Sequence, residues 1–452
     1  MAQLAIFFLL AFVATAMSLR HGMGLMNPIT VFVTVWVAVV VVYQVPGLDL
    51  LTLTSNTWVI VIAGFVSVTA GALAAWKLCS DADRGRQSPT VARQPGYDEV
   101  RLSRWYRVGV VLLIGYVLLQ FFRIWPAVQA EGGLRAILLG GSGLAFRRGY
   151  SALDATTAAT GFSGTSAVTG VLSYILFLGS MTLFWAGYYA RRSRWILALA
   201  PVAVMAIFSL VLLQRFALVY SLLLFAFGYY YHRNVAPNRA PPDRLRVAAM
   251  VAVGLAVVGG LVLLPIQLRN PGISRTAEVE NVATYYVAGL AGLNSLDARD
   301  AGLASATAGT VARVPDGRGV WTFTGAASIL GRAGLPVTAP SAALGYVPVQ
   351  RSGDVEINVY SYLIFFYYDF GYSGVVLLSL LLGGLAGWAH FRSTRRDLKW
   401  IPISCLAMTT LAMSFFSLSL VRDFEYFFLA LTSPALTRLV MGRGAPPSAG
   451  QR

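Results

Sequence analysis

Charge is scarce in this chain. Only 12% of its 452 residues are Asp, Glu, Lys or Arg, about half the share usual in a soluble globular protein. A water-soluble fold of this length could not cover its surface with so few. Cysteine is nearly absent as well: Cys79 and Cys405 exclude a disulfide framework, and Cys405 sits mid-way along an apolar run. Three histidines, His21, His232 and His390, are scattered, so no Cys/His cluster has metal-ligand spacing and no metal or cofactor is called for. What is abundant is apolar sequence, at 57% with a mean hydropathy of +0.67. The expectation is an all-α polytopic membrane protein, with apolar length for about ten spans of roughly 20 residues each.

Apolar runs lie at about 2–17, 28–44, 57–76, 106–124, 170–189, 195–213, 216–231, 247–267, 372–391, 400–418 and 424–441, which predicts about 11 transmembrane helices. The first lacks a basic leader and an obvious small-residue cleavage site, so it reads as a retained span. Lys and Arg set the orientation. Loops 77–107, 190–194, 232–246 and 392–399 are arginine-rich and alternate with loops that are not, which puts them in the cytoplasm and the N-terminus outside. Of 35 basic residues, 22 then fall on the cytoplasmic side with 6 acids, leaving 13 of each sign on the other. The whole net charge of +16 is accounted for by topology, and nucleic acid loses its motivation as a partner.

The chain reads as one integral membrane domain over 1–452. It has a cytoplasmic linker at 78–104 that could pull weakly on anionic membrane lipid, an outer loop at 125–169, a large outer loop at 268–356 and a cytoplasmic tail at 442–452. The large loop is too long to be structureless in a compact protein. Long loops on one face are where a membrane enzyme holds its site. No internal repeat is visible, which weakens a transporter reading. Segment 358–370 (NVYSYLIFFYYDF) needs arbitration. Thirteen helical residues cover only about 20 Å, and a crossing there would place Arg392, Arg395, Arg396 and Lys399 outside. Length and charge favour a re-entrant or interfacial helix that breaks at Gly371 and leads into the next span.

On that helix Asn358, Tyr362, Phe365 and Asp369 are spaced i, i+4, i+7, i+11 and share one face. An amide, a phenol and a carboxylate on one stripe of an apolar segment suggest a polar pocket, and an acid at membrane depth is costly and usually has a purpose. The plainer reading makes Asn358 an N-cap and Asp369 a helix-end residue satisfied by an arginine. The second set lies at the outer boundary: Arg215 in a very short turn, Arg269 and Arg275 after the eighth run, and Arg422 beside Asp423 in the last turn. These oppose the positive-inside signal. Arginine suits bidentate phosphate recognition and never loses its charge, and a polyprenyl diphosphate places its phosphates at this depth. Snorkelling, or pairing of Arg422 with Asp423 or Glu425, is the plainer account. Arg147 and Arg148 are weaker candidates for an acidic saccharide. Gly140–Gly143 lacks the strand and helix of a phosphate loop. The aromatic run 365–368 is most simply interfacial anchoring, with stacking on sugar faces as the alternative.

The stretch Asn358 to Leu363 (NVYSYL), then Tyr368 to Gly374 (YDFGYSG), then Leu382-Gly383-Gly384, resembles a late motif of bacterial oligosaccharide repeat-unit polymerases, the Wzy or O-antigen polymerase type. The order around it, over roughly 200–391, is also similar: Arg215 in a short outer turn, Arg269 after a later span, and a long loop containing Gly-Val-Trp-Thr-Phe at 319–323. The resemblance implies a metal-independent GT-C-like glycosyltransferase of the bacterial inner membrane. It would transfer a growing glycan from undecaprenyl diphosphate onto the next lipid-linked repeat unit on the outer face. A flippase and a chain-length regulator would be its partners. In physical terms, Arg215 and Arg269 would hold the leaving diphosphate, helped by Arg275 and Arg422. Asp369, or second Asp423, would orient or deprotonate the acceptor hydroxyl. The related O-antigen ligases typically rely on an outer-face histidine, whereas the three here lie at cytoplasmic loops or helix ends. Transferases using polyprenyl-phosphate sugars usually carry an acidic motif in the first outer loop, where 45–56 holds only Asp49. A lipid-linked oligosaccharide flippase or transporter would need charges along a central path, and the apolar runs hold almost none.

Overall fold

The computed structural model describes residues 2–85, 97–139, 172, 175–211, 216–234, 275–300, 322–324, 326–327, 330, 347–348, 356–357, 361–395, 397–415 and 424–441. Its helices are α1 (Ala2–Arg20), α2 (Pro28–Tyr43), α3 (Ser55–Gly85), α4 (Glu99–Ala130), α5 (Leu134–Leu139), α6 (Met181–Arg191), α7 (Trp195–Val211), α8 (Phe216–Asn234), α9 (Arg275–Asp300), α10 (Tyr362–Thr394), α11 (Ile401–Ala412) and α12 (Phe424–Val440). Two-residue strands β1 (Val347–Pro348) and β2 (Glu356–Ile357) pair antiparallel, Val347 opposite Ile357. Among the described residues four helices are long and apolar enough to cross a membrane: α1, α3, α4 and α10. The protein is an all-α membrane protein.

Its surface says the same. On α4 the buried face is Leu102, Tyr106, Gly109, Leu113, Tyr116, Gln120, Ile124 and Val128. Val108, Val111, Leu118 and Phe122 point outward and exposed. Large apolar residues thus line both faces, which suits hydrocarbon as the solvent. The β-branched run of α2 (VFVTVWVAVVVVY) would favour strand in water, but lipid demands that backbone groups pair within the segment. Its start is fixed by Asn27, whose Oδ1 accepts from the Ile29 and Thr30 amides at 2.9 and 3.0 Å, with Pro28 in the first turn.

Helices extend further than the apolar runs. α3 continues to Gly85 and α4 begins at Glu99 behind an Asp98 cap, both inside the segment read as a linker. Hydropathy marks only the part of a helix that lies in lipid. The large loop 268–356 contains α9 and β1, and β2 begins at its last residue. Run 247–267 and tail 442–452 lie outside the described residues.

Contacts divide the chain into two compact units, each interleaved in sequence. The first comprises Met1–Val91, Glu280–Arg395 and Leu406–Leu431. Its spine is α3 against α10. Added methyl groups at Gly71, Gly383 and Gly387 would overlap backbone atoms of Leu380, Val68 and Ala72, so the two backbones nearly touch. Their last turns are joined by Arg395 and Asp83 at 3.2 Å. The second comprises Ala92–Val279, Arg396–Cys405 and Thr432–Arg452. There α6 is buried from Met181 to Ala190, Gly187 meets Gly228 of α8 and Gly179 meets Leu113 of α4. Arg192 pairs with Glu99, and Tyr97 bridges to Met441.

Candidate functional site

The candidate site lies in the first unit and is built on α10, which is two helices joined at Gly371 (φ 65°, ψ −154°). Contacts with α3 show the direction of each arm. Leu363 and the Tyr362 hydroxyl face Gly64, whereas the Tyr372 hydroxyl donates to Asn56, eight positions earlier on α3. The chain then reverses: Leu380 meets Gly71, Ala72 faces Gly387 and Arg395 reaches Asp83. Gly374 abuts Phe366 and Phe370. Residues 362–370 therefore double back against 372–394 as a helical hairpin, with the helix break at Gly371.

The short arm begins inside the protein. A helix start leaves amide donors without intrahelical partners, and other segments satisfy them here. The Ser361 amide donates to the Gly289 carbonyl of α9 at 3.2 Å, and the Tyr362 amide to the Ser414 carbonyl at 3.0 Å. Gly289 is required because a side chain would overlap the Phe415 carbonyl. Ser414 is available because α11 stops at Ala412 and turns through 413–415. Trp36 Nε1 donates to Ser414 Oγ at 2.8 Å, and Ser414 Oγ donates to the Leu411 carbonyl at 2.8 Å. The Tyr362 ring packs edge-on against Phe32, Trp36 and Phe366, with centroids 6.3, 6.1 and 5.4 Å away.

Asp369 lies at the other end of the short arm and is 7% exposed. The Thr322 amide donates to its Oδ2 at 2.6 Å, and the Thr322 hydroxyl donates to the Phe365 carbonyl at 3.1 Å. Asp369 Oδ1 is buried and has no hydrogen-bond partner among the described residues. One oxygen is thus committed to orientation and the other is left to accept a proton or a hydrogen bond.

Of the stripe read from spacing, Tyr362, Phe365 and Asp369 do share a buried face, but their surroundings differ. Tyr362 is fully buried among rings, so it fixes the arm. Asn358 lies outside the described residues, and Ser361 holds the N-cap position. Phe365 and Phe366 are core, and Tyr367 and Tyr368 are half-buried. Arg275 opens α9. Arg215, Arg269, Arg422 and Asp423, together with Arg147, Arg148 and Gly140–Gly143, lie outside the described residues.

Sequence reasoning met Thr322 only as part of the 319–323 stretch and singled out neither Gly289 nor Ser414, because the amide and carbonyls by which they hold the short arm carry no residue-type signal. It also missed Asn294, which is fully buried on α9. Asn294 Oδ1 accepts from the Thr54 amide at 2.8 Å, and its Nδ2 donates to the Thr52 carbonyl at 3.1 Å. A signal existed: Val287, Leu290, Ala291 and Asn294 are buried at helical spacing, and an amide on such a face needs partners. The chain has no match among protein families, curated proteins or solved structures.

Proposed function

We propose that this membrane protein is a glycosyltransferase that polymerises undecaprenyl-diphosphate-linked oligosaccharide repeat units on the outer face of the bacterial inner membrane. The observation that carries the reading is Asp369, a nearly buried carboxylate with one oxygen held by the Thr322 amide and the other unpartnered among the described residues. A carboxylate so oriented can accept the proton of an acceptor hydroxyl as it attacks the anomeric carbon. A second point supports it. Thr322 belongs to the 319–323 stretch and Asp369 to the 368–374 stretch, two separate elements of the polymerase resemblance, and they meet through one hydrogen bond. Arg215 and Arg269, with Arg275 and Arg422, hold the departing diphosphate in this reading. His232 and His390 are buried, and His21, which is exposed, follows α1 on the side read as cytoplasmic, which favours polymerase over a ligase built on an outer-face histidine.

Asp369→Asn tests the assignment. The variant keeps the shape and the Thr322 bond but loses basicity. Turnover of lipid-linked repeat unit should fall by about a hundredfold or more, with folded protein and lipid binding at wild-type level. Normal turnover per folded molecule would leave Asp369 as a loop anchor for Thr322 and remove it from the chemistry.

A further inference from the structure

A cavity of about 410 Å³ lies among the first ends of α1 and α3, the last residues of α2 and the loop 44–54. It falls within the roughly 300–1,000 Å³ of small-molecule sites. Its polar wall is Gln3, Gln44, Asp49 and Thr52; its aromatic wall includes Tyr43 and Trp58. The loop is held rigidly. Leu48 and Leu50 are buried and anchor it on either side of Asp49, which takes a left-handed conformation (φ 45°) and stays exposed. The Tyr43 hydroxyl donates to the Leu51 carbonyl at 2.6 Å, and Asn294 ties down Thr52 and Thr54 from α9. Trp58 is backed by Phe7, with ring centroids 6.3 Å apart.

None of the Gln3, Gln44, Asp49 and Thr52 side chains has a hydrogen bond among the described residues. Gln44, Asp49 and Thr52 are exposed and Gln3 half-buried, so two amides, a hydroxyl and a carboxylate face one open space where a ligand could replace water, beside apolar and aromatic surface. That mixture matches a saccharide ring, which has hydroxyls at its rim and C–H groups on its faces. Among the described residues the one charged lining group is the Asp49 carboxylate, which disfavours phosphate and uronic acids. The cavity also lies at the end of α3 that contacts the long arm just after its break. Asn56, in the first turn of α3, accepts from Tyr372, three residues beyond Asp369.

We infer that this cavity is a subsite for an uncharged sugar of the lipid-linked glycan, with Asp49, Gln44 and Gln3 accepting and donating hydrogen bonds to its hydroxyls. This assignment rests on the glycan-transfer reading. Binding is tested on the full chain in lipid nanodiscs by saturation-transfer NMR with cellobiose, lactose and maltose, and with glucuronate as the anionic comparison. At least one neutral disaccharide should receive saturation, glucuronate should receive less, and Asp49→Ala and Gln44→Ala should each weaken binding by about tenfold. Absence of transfer to all three neutral sugars, or binding unchanged in both variants, would overturn the subsite. Turnover separates the two ideas. Polymerisation by the wild type with an unaltered KM in both variants removes the subsite and leaves the transfer function. Sugar binding lost in the variants, in a protein that polymerises nothing, keeps the subsite and removes the transfer function.

Discussion

The two arms of α10 are made of similar residues and are held in place by different means. The long arm, 372–394, packs along α3 through Gly71, Gly383 and Gly387, so its partner is another helix backbone at close range. The short arm, 362–370, is capped by carbonyls of Gly289 and Ser414 and is wedged by rings from α2. Close helix packing needs only small residues and van der Waals contact. A helix that starts within the protein needs specific acceptors for its first amides. The long arm is thus scaffold. The short arm presents Asp369 at a fixed place, because both of its ends are bound to elements distant in sequence.

The largest expected effect lies in the long arm. Gly383→Leu drives a side chain into the Val68 carbonyl. Ordinary overpacking costs about 1–3 kcal/mol, and here the obstacle is backbone on a rigid helix, so the cost should exceed that range. Little folded protein should accumulate, read as the loss of a monodisperse peak in detergent. Wild-type yield of Gly383→Leu would show that the arms can separate from α3, and the contrast drawn above would fail.

The hinge is the next test. Gly371 has a φ/ψ combination (65°, −154°) that residues with a Cβ rarely hold, at a cost of about 1–3 kcal/mol. A methyl group there meets no atom within 4 Å, so the whole effect of Gly371→Ala should be conformational. The variant should fold with a lowered melting temperature and reduced turnover, because relaxing the break moves Asp369 relative to Thr322. Unchanged stability and turnover would mean that the hairpin forms without help from glycine at this position.

Much of this was legible in the sequence. A mostly apolar stretch of thirteen residues followed by a glycine, with arginines that must not cross, points to a short helix that breaks at Gly371, and the break is present. The spacing that puts Tyr362, Phe365 and Asp369 on one face is simple helix geometry. Partners were not legible. Thr322 lies 47 positions from Asp369 and offers an amide that any residue type but proline could supply. Gly289 and Ser414 contribute carbonyls in the same way. The division into two units was only partly legible: the 78–104 linker contains the first boundary, between Val91 and Ala92, but each unit returns to the chain several times and nothing in the sequence marks the later crossings. Helix ends were misjudged where α3 and α4 leave lipid, since polar sequence continues a helix in water without an apolar signal.

The smallest effect sharpens the comparison most, because it separates anchoring from chemistry within the short arm. Ser414 acts through two groups: its carbonyl accepts from the Tyr362 amide, and its hydroxyl accepts from Trp36 Nε1 while donating to the Leu411 carbonyl. Ser414→Ala keeps the first and removes the second. The Trp36 indole, 1% exposed, is then left with a buried donor facing a methyl group, and the cost should be roughly 1 kcal/mol. Adding Trp36→Phe removes that stranded donor, so the double variant should be more stable than the sum of the two single losses, the signature of a direct interaction. Turnover per folded molecule should stay at wild-type level in Ser414→Ala, because the backbone anchor of the arm is intact. A drop in turnover comparable with that of Asp369→Asn would instead place the Trp36–Ser414 pair in the reaction and not beneath it.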